Sequence, residues 1–149
     1  MESPYLRFQT PELQAQWLTG SRPDIPGVTI HPALYIVVSF AALLYCRLTN
    51  QPLIITSLIR KPDPNLIESG VHFTGQGADA HVELTAKADQ AALENQINAA
   101  ILYLSGRKEL HTALIHEVED KKGNKLGLHL HLQVGPLEPK PATPETFIV

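Results

Sequence analysis

The chain has 149 residues, 44% of them hydrophobic, which suffices for one domain with its own core and is too little for two comfortable ones. Lys and Arg total 12 against 15 Asp and Glu, so a formal charge of −3 demands no basic surface and does not favour a nucleic-acid partner. The lone Cys46 excludes an internal disulfide, and its apolar surroundings predict a buried, inert thiol.

Residues 1–31 are rich in turn formers, including Thr19-Gly20-Ser21 and Asp24-Ile25-Pro26-Gly27. They predict a lead-in wrapped on the domain, with one short helical turn over 11–18. No charged start followed by an apolar core marks a secretory signal there. His31-Pro32 opens an apolar helix over 33–48, because proline suits a first helical turn, and Asn50-Gln51-Pro52 stops it. Its apolar run, 33–46, is shorter than the roughly 20 residues that span a bilayer and reads as a buried helix.

A strand is predicted at 53–57. Pro62 and Pro64 then force a loop as far as Gly70, since proline has no amide to donate to a ladder. A short strand at 79–84 precedes a second helix over 86–104, in which Leu93, Ile97, Ala100, Ile101 and Leu104 recur at helical spacing between a cap at Thr85 and a stop at Gly106. Strands at 112–118 and 126–134 flank the polar turn Asp120-Lys121-Lys122-Gly123-Asn124 and should pair antiparallel. Pro136, Pro139, Pro141 and Pro144 exclude a regular element from 136–149, which is expected to lie extended on the surface.

Two clusters carry chemistry. In the last strand Leu128, Leu130, Leu132 and Val134 point one way, and His129, His131 and Gln133 the other. Two imidazoles about 7 Å apart on one face suit a metal ligand and a substrate-facing neighbour. Taken alone, the same pattern describes a half-exposed strand with a histidine-rich outer side. The second cluster is Ser69-Gly70-Val71-His72-Phe73-Thr74-Gly75-Gln76-Gly77-Ala78-Asp79, where glycines let the backbone turn tightly around an ion beside an imidazole and a carboxylate. Standing alone, it would read as a surface loop with one polar histidine. A third ligand from the distant strand would complete a nitrogen and oxygen set with one open position, as hydrolytic zinc sites need.

The run Ser69-x-x-His72-x-x-Gly75-x-x-x-Asp79 resembles the metal motif of the zinc D-alanyl-D-alanine carboxypeptidases and their L-alanyl-D-glutamate endopeptidase relatives, with the telling spacing of seven from histidine to aspartate. Ile54-Ile55-Thr56-Ser57-Leu58-Ile59-Arg60 is similar to that family's strand and turn ending in arginine. His129-Leu130-His131-Leu132-Gln133-Val134-Gly135 is similar to its closing strand. The likeness spans 53–135 with all pieces in the family order. It implies that His72, Asp79 and His131 bind zinc, that Arg60 holds a substrate carboxylate or polarises the scissile carbonyl, and that His129 is the active-site histidine beside the last ligand. Leu58 and Ile59 stand where the family has a glycine and an aromatic residue, Gln133 where an aspartate is common, and Leu128 where some relatives carry an acidic base. Glu117 and Glu119 are backup bases, His81 reads as a polar edge residue, His116 is left open between site and solvent, and His31 and His111 are boundary residues without a role.

The expectation is therefore a single α+β domain over 1–149: a small, mostly antiparallel sheet of about four to six strands, helices packed on one face and a zinc site on the other, as in hedgehog-like zinc peptidases. Its function would be zinc-dependent hydrolysis of D-amino-acid-containing peptide bonds, with peptidoglycan stem peptides or D-alanyl peptides as partners. The alternative is a non-cleaving binding or structural module, for instance of a phage particle or secretion device, that keeps the fold and perhaps the metal. A third reading is a cytosolic zinc hydrolase of another small peptide.

Overall fold

In the computed structural model, which describes residues 3–65, 70–105 and 112–135, alternating side chains build one sheet and helical periodicity builds the layer that covers it. In chain order the elements are β1 (Leu6–Phe8), α1 (Pro11–Thr19), β2 (Ser21–Arg22), β3 (Ile25–Thr29), α2 (Pro32–Thr49), β4 (Leu53–Ser57), a 3₁₀ turn (Val71–Thr74), β5 (Gly77–His81), α3 (Lys87–Ser105), β6 (Ala113–Glu119) and β7 (Lys125–Gln133). The main sheet has five strands in the order β1-β4-β5-β7-β6, and β2 and β3 form a separate pair. β1 runs parallel to β4 while the other neighbours in the main sheet are antiparallel, so the α+β class holds and the sheet is mixed.

One face of the sheet is apolar. Leu53 and Ile55 of β4, Ala78 and Ala80 of β5, and Leu130 and Leu132 of β7 are all fully buried, because residues two apart in a strand share a face. Leu34, Val37, Val38 and Ala41 of α2, with Leu93 and Ile97 of α3, supply the rest of that core. Each such leucine or isoleucine contributes about 1.5–3 kcal/mol of burial. The register aligns Asp79 with His131, His81 with His129, and His129 with His116, so these polar side chains share the opposite face.

α2 begins where expected, and His31 is indeed a boundary residue: its Nδ1 accepts from the Ala33 amide at 3.0 Å. The helix ends at Asn50 in a left-handed conformation, φ 58°. Among the described residues α2 is the one helix long and apolar enough, by length and composition, to cross a membrane, with a mean hydropathy of 1.6. Here its Leu34, Val37, Val38 and Tyr45 are buried, whereas Ile36 is exposed.

Three expectations need correction. The lead-in is more ordered than expected: β1 pairs with β4, α1 runs nine residues from a Thr10 cap whose hydroxyl accepts from the Leu13 amide, and β2 and β3 pair with each other. The strand expected at 79–84 starts and ends earlier, at Gly77–His81, because its partners β4 and β7 offer ladder positions only there. α3 begins beyond Thr85: the carbonyl of Ala86 takes the first helical amide, from Gln90, so Ala86 occupies the cap position. The last two strands lie within one residue of the expectation and pair antiparallel as expected. Asp120 Oδ1 accepts from the Lys122 and Asn124 amides in the turn between them. Ser69, Gly106, His111 and the tail 136–149 lie outside the described residues.

Candidate metal centre

Three elements bring His72, Asp79 and His131 together, with ligating atoms all within 4.8 Å of one another, an arrangement that could hold a metal ion. Asp79 and His131 face each other across the β5–β7 ladder. His72 comes from the 3₁₀ turn just before β5. Gly70 and Gly75 bracket that turn at positive φ, 86° and 74°. At Gly75 a side chain would collide with the backbone of Thr29, 1.9 Å away, where the Gly75 carbonyl accepts from the His31 amide at 2.8 Å. The glycines therefore serve the turn and its packing on the start of α2, which differs from the expectation that they wrap an ion.

Both imidazoles are held from behind. His72 Nδ1 lies 2.8 Å from the Leu58 carbonyl, an obligate acceptor, so that nitrogen carries the proton. Its Nε2 is buried and has no hydrogen-bond partner among the described residues, although it stands 3.2 Å from Asp79 Oδ2. A lone pair turned toward a carboxylate oxygen calls for a cation between them, and the buried orphan nitrogen fits a metal ligand. His131 repeats the arrangement: Nε2 donates to Gln133 Oε1 at 3.1 Å, and Nδ1 faces Asp79 Oδ1 at 2.9 Å. Gln133 thus supplies the rear acceptor at the position where the resembled family often has aspartate.

The electrostatics follow from this clustering. Burial alone would raise Asp79, yet the contact with His131 and the two neighbouring imidazoles, His131 and His72, hold its carboxyl well below the usual range. Burial likewise opposes protonation of His131, but the hydrogen bond and charge of Asp79 outweigh it and raise the pKa above that of an ordinary histidine. Protons and a metal ion would compete for the same place.

Around this core the other expected residues scatter. His129 stands on the site face, two pairs along the ladder from Asp79 and His131, and its buried Nδ1 has no hydrogen-bond partner among the described residues. Arg60 is half-buried, its amide donates to the His72 carbonyl at 3.4 Å, and its charge acts against protonation of His131. His81 is half-exposed beside Glu83 at 3.4 Å, and β5 is the central strand of the sheet, so its expected edge position is overturned. Glu117 pairs with Lys125 at 3.8 Å and Glu119 is exposed, leaving both outside the three-residue cluster.

His116 does approach the site. Its ring lies edge-on to His131 with centroids 6.3 Å apart, and burial followed by the His131 charge pushes its pKa below the ordinary value. The sequence leaves His116 open between site and solvent and does not show the parts played by Gln133 and the Leu58 carbonyl. The two-residue step from His131 to Gln133 was a legible signal; the pairing of Leu58 with His72 depends on the folded loop. No family model, no curated protein and no solved structure matches this chain.

Proposed function

We propose that this chain is a zinc-dependent peptidase that hydrolyses D-amino-acid-containing peptide bonds of peptidoglycan. The observation that carries the reading is the pair of imidazoles, each fixed at its rear nitrogen by a carbonyl oxygen and turned at its front nitrogen toward one oxygen of Asp79. Two nitrogens and a carboxylate form a donor set that suits zinc better than magnesium or calcium, with room for a fourth position. A zinc ion held by His72, Asp79 and His131 would supply Lewis acidity and the activated water that peptide hydrolysis needs.

The chain's own groups divide the remaining work. Arg60 holds a substrate carboxylate or the carbonyl oxygen as charge develops on it. His129 moves the proton toward the leaving amine, from a face it shares with His116. Leu58 and Ile59 are buried, so the residues that replace the family's glycine and aromatic serve the core beside Arg60.

Elemental analysis together with assays on intact peptidoglycan and on a D-alanyl-D-alanine peptide tests the reading. About one zinc per chain and cleavage of either substrate are expected. His129→Ala should keep the zinc and lose roughly 100-fold in turnover, the scale of one acid–base group. A chain that binds zinc but cuts neither substrate would be the non-cleaving module instead, a reading favoured by Leu128, which packs against the core where some relatives carry an acid.

A further inference from the structure

The polar face of the sheet carries more imidazoles than the candidate centre uses. His81 of β5 is the register partner of His129 of β7, and His129 is the register partner of His116 of β6, so three histidines stand in one row across three adjacent strands. The row of Asp79, His131 and Leu114 lies beside it, two residues along each strand. Opposed side chains in an antiparallel ladder have Cβ atoms about 4.5–5.5 Å apart, so one ion above the middle ring comes within reach of all three imidazoles, each bonding at about 2.0–2.1 Å.

The rings of this row are only partly engaged. His129 sits in the middle, and its buried Nδ1 has no hydrogen-bond partner among the described residues; a buried nitrogen of this kind calls for one. His116 is half-buried on the same face, edge-on to His131. His81 is half-exposed, and its Nε2 stands 3.4 Å from Glu83 Oε1, an exposed pair that water screens and that holds the ring only weakly. Among the described residues His72, Asp79 and His131 are the one group already drawn together around a common point, so the second set closes only when His81 turns away from Glu83.

We propose that His81, His116 and His129 bind a second divalent transition-metal ion beside the candidate centre. Imidazole nitrogens suit zinc, copper or nickel and are poor ligands for calcium and magnesium, which take oxygen. Affinity is lower than at His72, Asp79 and His131, because no carboxylate contributes its charge and His81 must be reoriented. The second ion therefore arrives only when the metal exceeds the micromolar range that fills the first centre. Where the chain cleaves peptides, an ion on His129 occupies the group that moves the proton, so excess zinc inhibits; this consequence rests on the peptidase reading, and the binding itself does not.

Calorimetric titration of the full chain with zinc, carried beyond the first equivalent, tests this site. A second, weaker equivalent should bind to the unaltered chain. His116→Ala should lose that equivalent and keep the first, and so should His81→Ala, a change at a half-exposed position outside the core, with melting temperatures unchanged. Uptake that stops at the first equivalent in the unaltered chain, or a second equivalent that persists in both variants, would overturn the proposal. Turnover assays separate it from the peptidase reading. Inhibition by excess zinc that His81→Ala relieves supports both ideas. Cleavage with no second equivalent keeps the peptidase and removes the second site, whereas a His81-dependent equivalent in a chain that cuts nothing keeps the second site and removes the peptidase.

Discussion

The strands that carry Asp79 and His131 and the stretch before α2 reach order by different routes. β7 shows its two faces in its own letters, leucines alternating with histidines, and any sheet that buries the leucines must gather the histidines. The N-terminal stretch has no such period. β1 is three residues long and exists through its parallel partner β4, and α1 is anchored by buried Gln16, whose bond partner Ile59 is 43 residues away. Local periodicity thus encodes one region, and distant partners create order in the other.

The sharpest way to break this contrast is at the ligands. His72→Ala or His131→Ala should abolish zinc uptake at micromolar metal, read by elemental analysis, while leaving the melting transition of the chelated protein in place, since the core lies on the other face. Uptake by the unaltered chain should weaken as pH falls. Protons compete for the same lone pairs, and His131, with its raised pKa, keeps its proton to higher pH than an ordinary histidine.

Glycines distinguish the regions next. Gly75 and Gly27 both have positive φ, 74° and 82°, but only Gly75 would bring a side chain against backbone, while nothing lies within 4 Å at Gly27. Gly27→Ala should cost about 1–2 kcal/mol from conformation alone. Gly75→Ala should cost about 3 kcal/mol or more and move His72 as well, so denaturant unfolding and zinc affinity should change together. Equal costs at the two sites would show that the contact with Thr29 is not decisive.

Gln133→Ala removes the acceptor behind His131 and should lower zinc affinity about 10–100-fold with little change in melting temperature, whereas Gln133→Glu should retain binding. An unaltered affinity in both variants would mean that Gln133 does not orient the ring. The smallest effect belongs to the N-terminal region. Thr10→Ala removes the hydroxyl that caps α1 and should cost about 1 kcal/mol in chemical denaturation, with zinc affinity unchanged.

The amino-acid sequence by itself determined α2, α3, β4, the β6–β7 hairpin and the shared face of His129 and His131, because each follows from a period, a cap or a turn confined to neighbouring residues. The likeness to the zinc peptidases also implies which residues come together, His72, Asp79 and His131, and the fold brings those three side by side. Only the tertiary structure decided that β1 joins β4, that His116 faces the candidate centre, that Leu58 and Gln133 hold the imidazoles from behind, and that α1 walls a groove beside Arg60. Those contacts join residues far apart in the chain, and their geometry exists only once the strands have found their register.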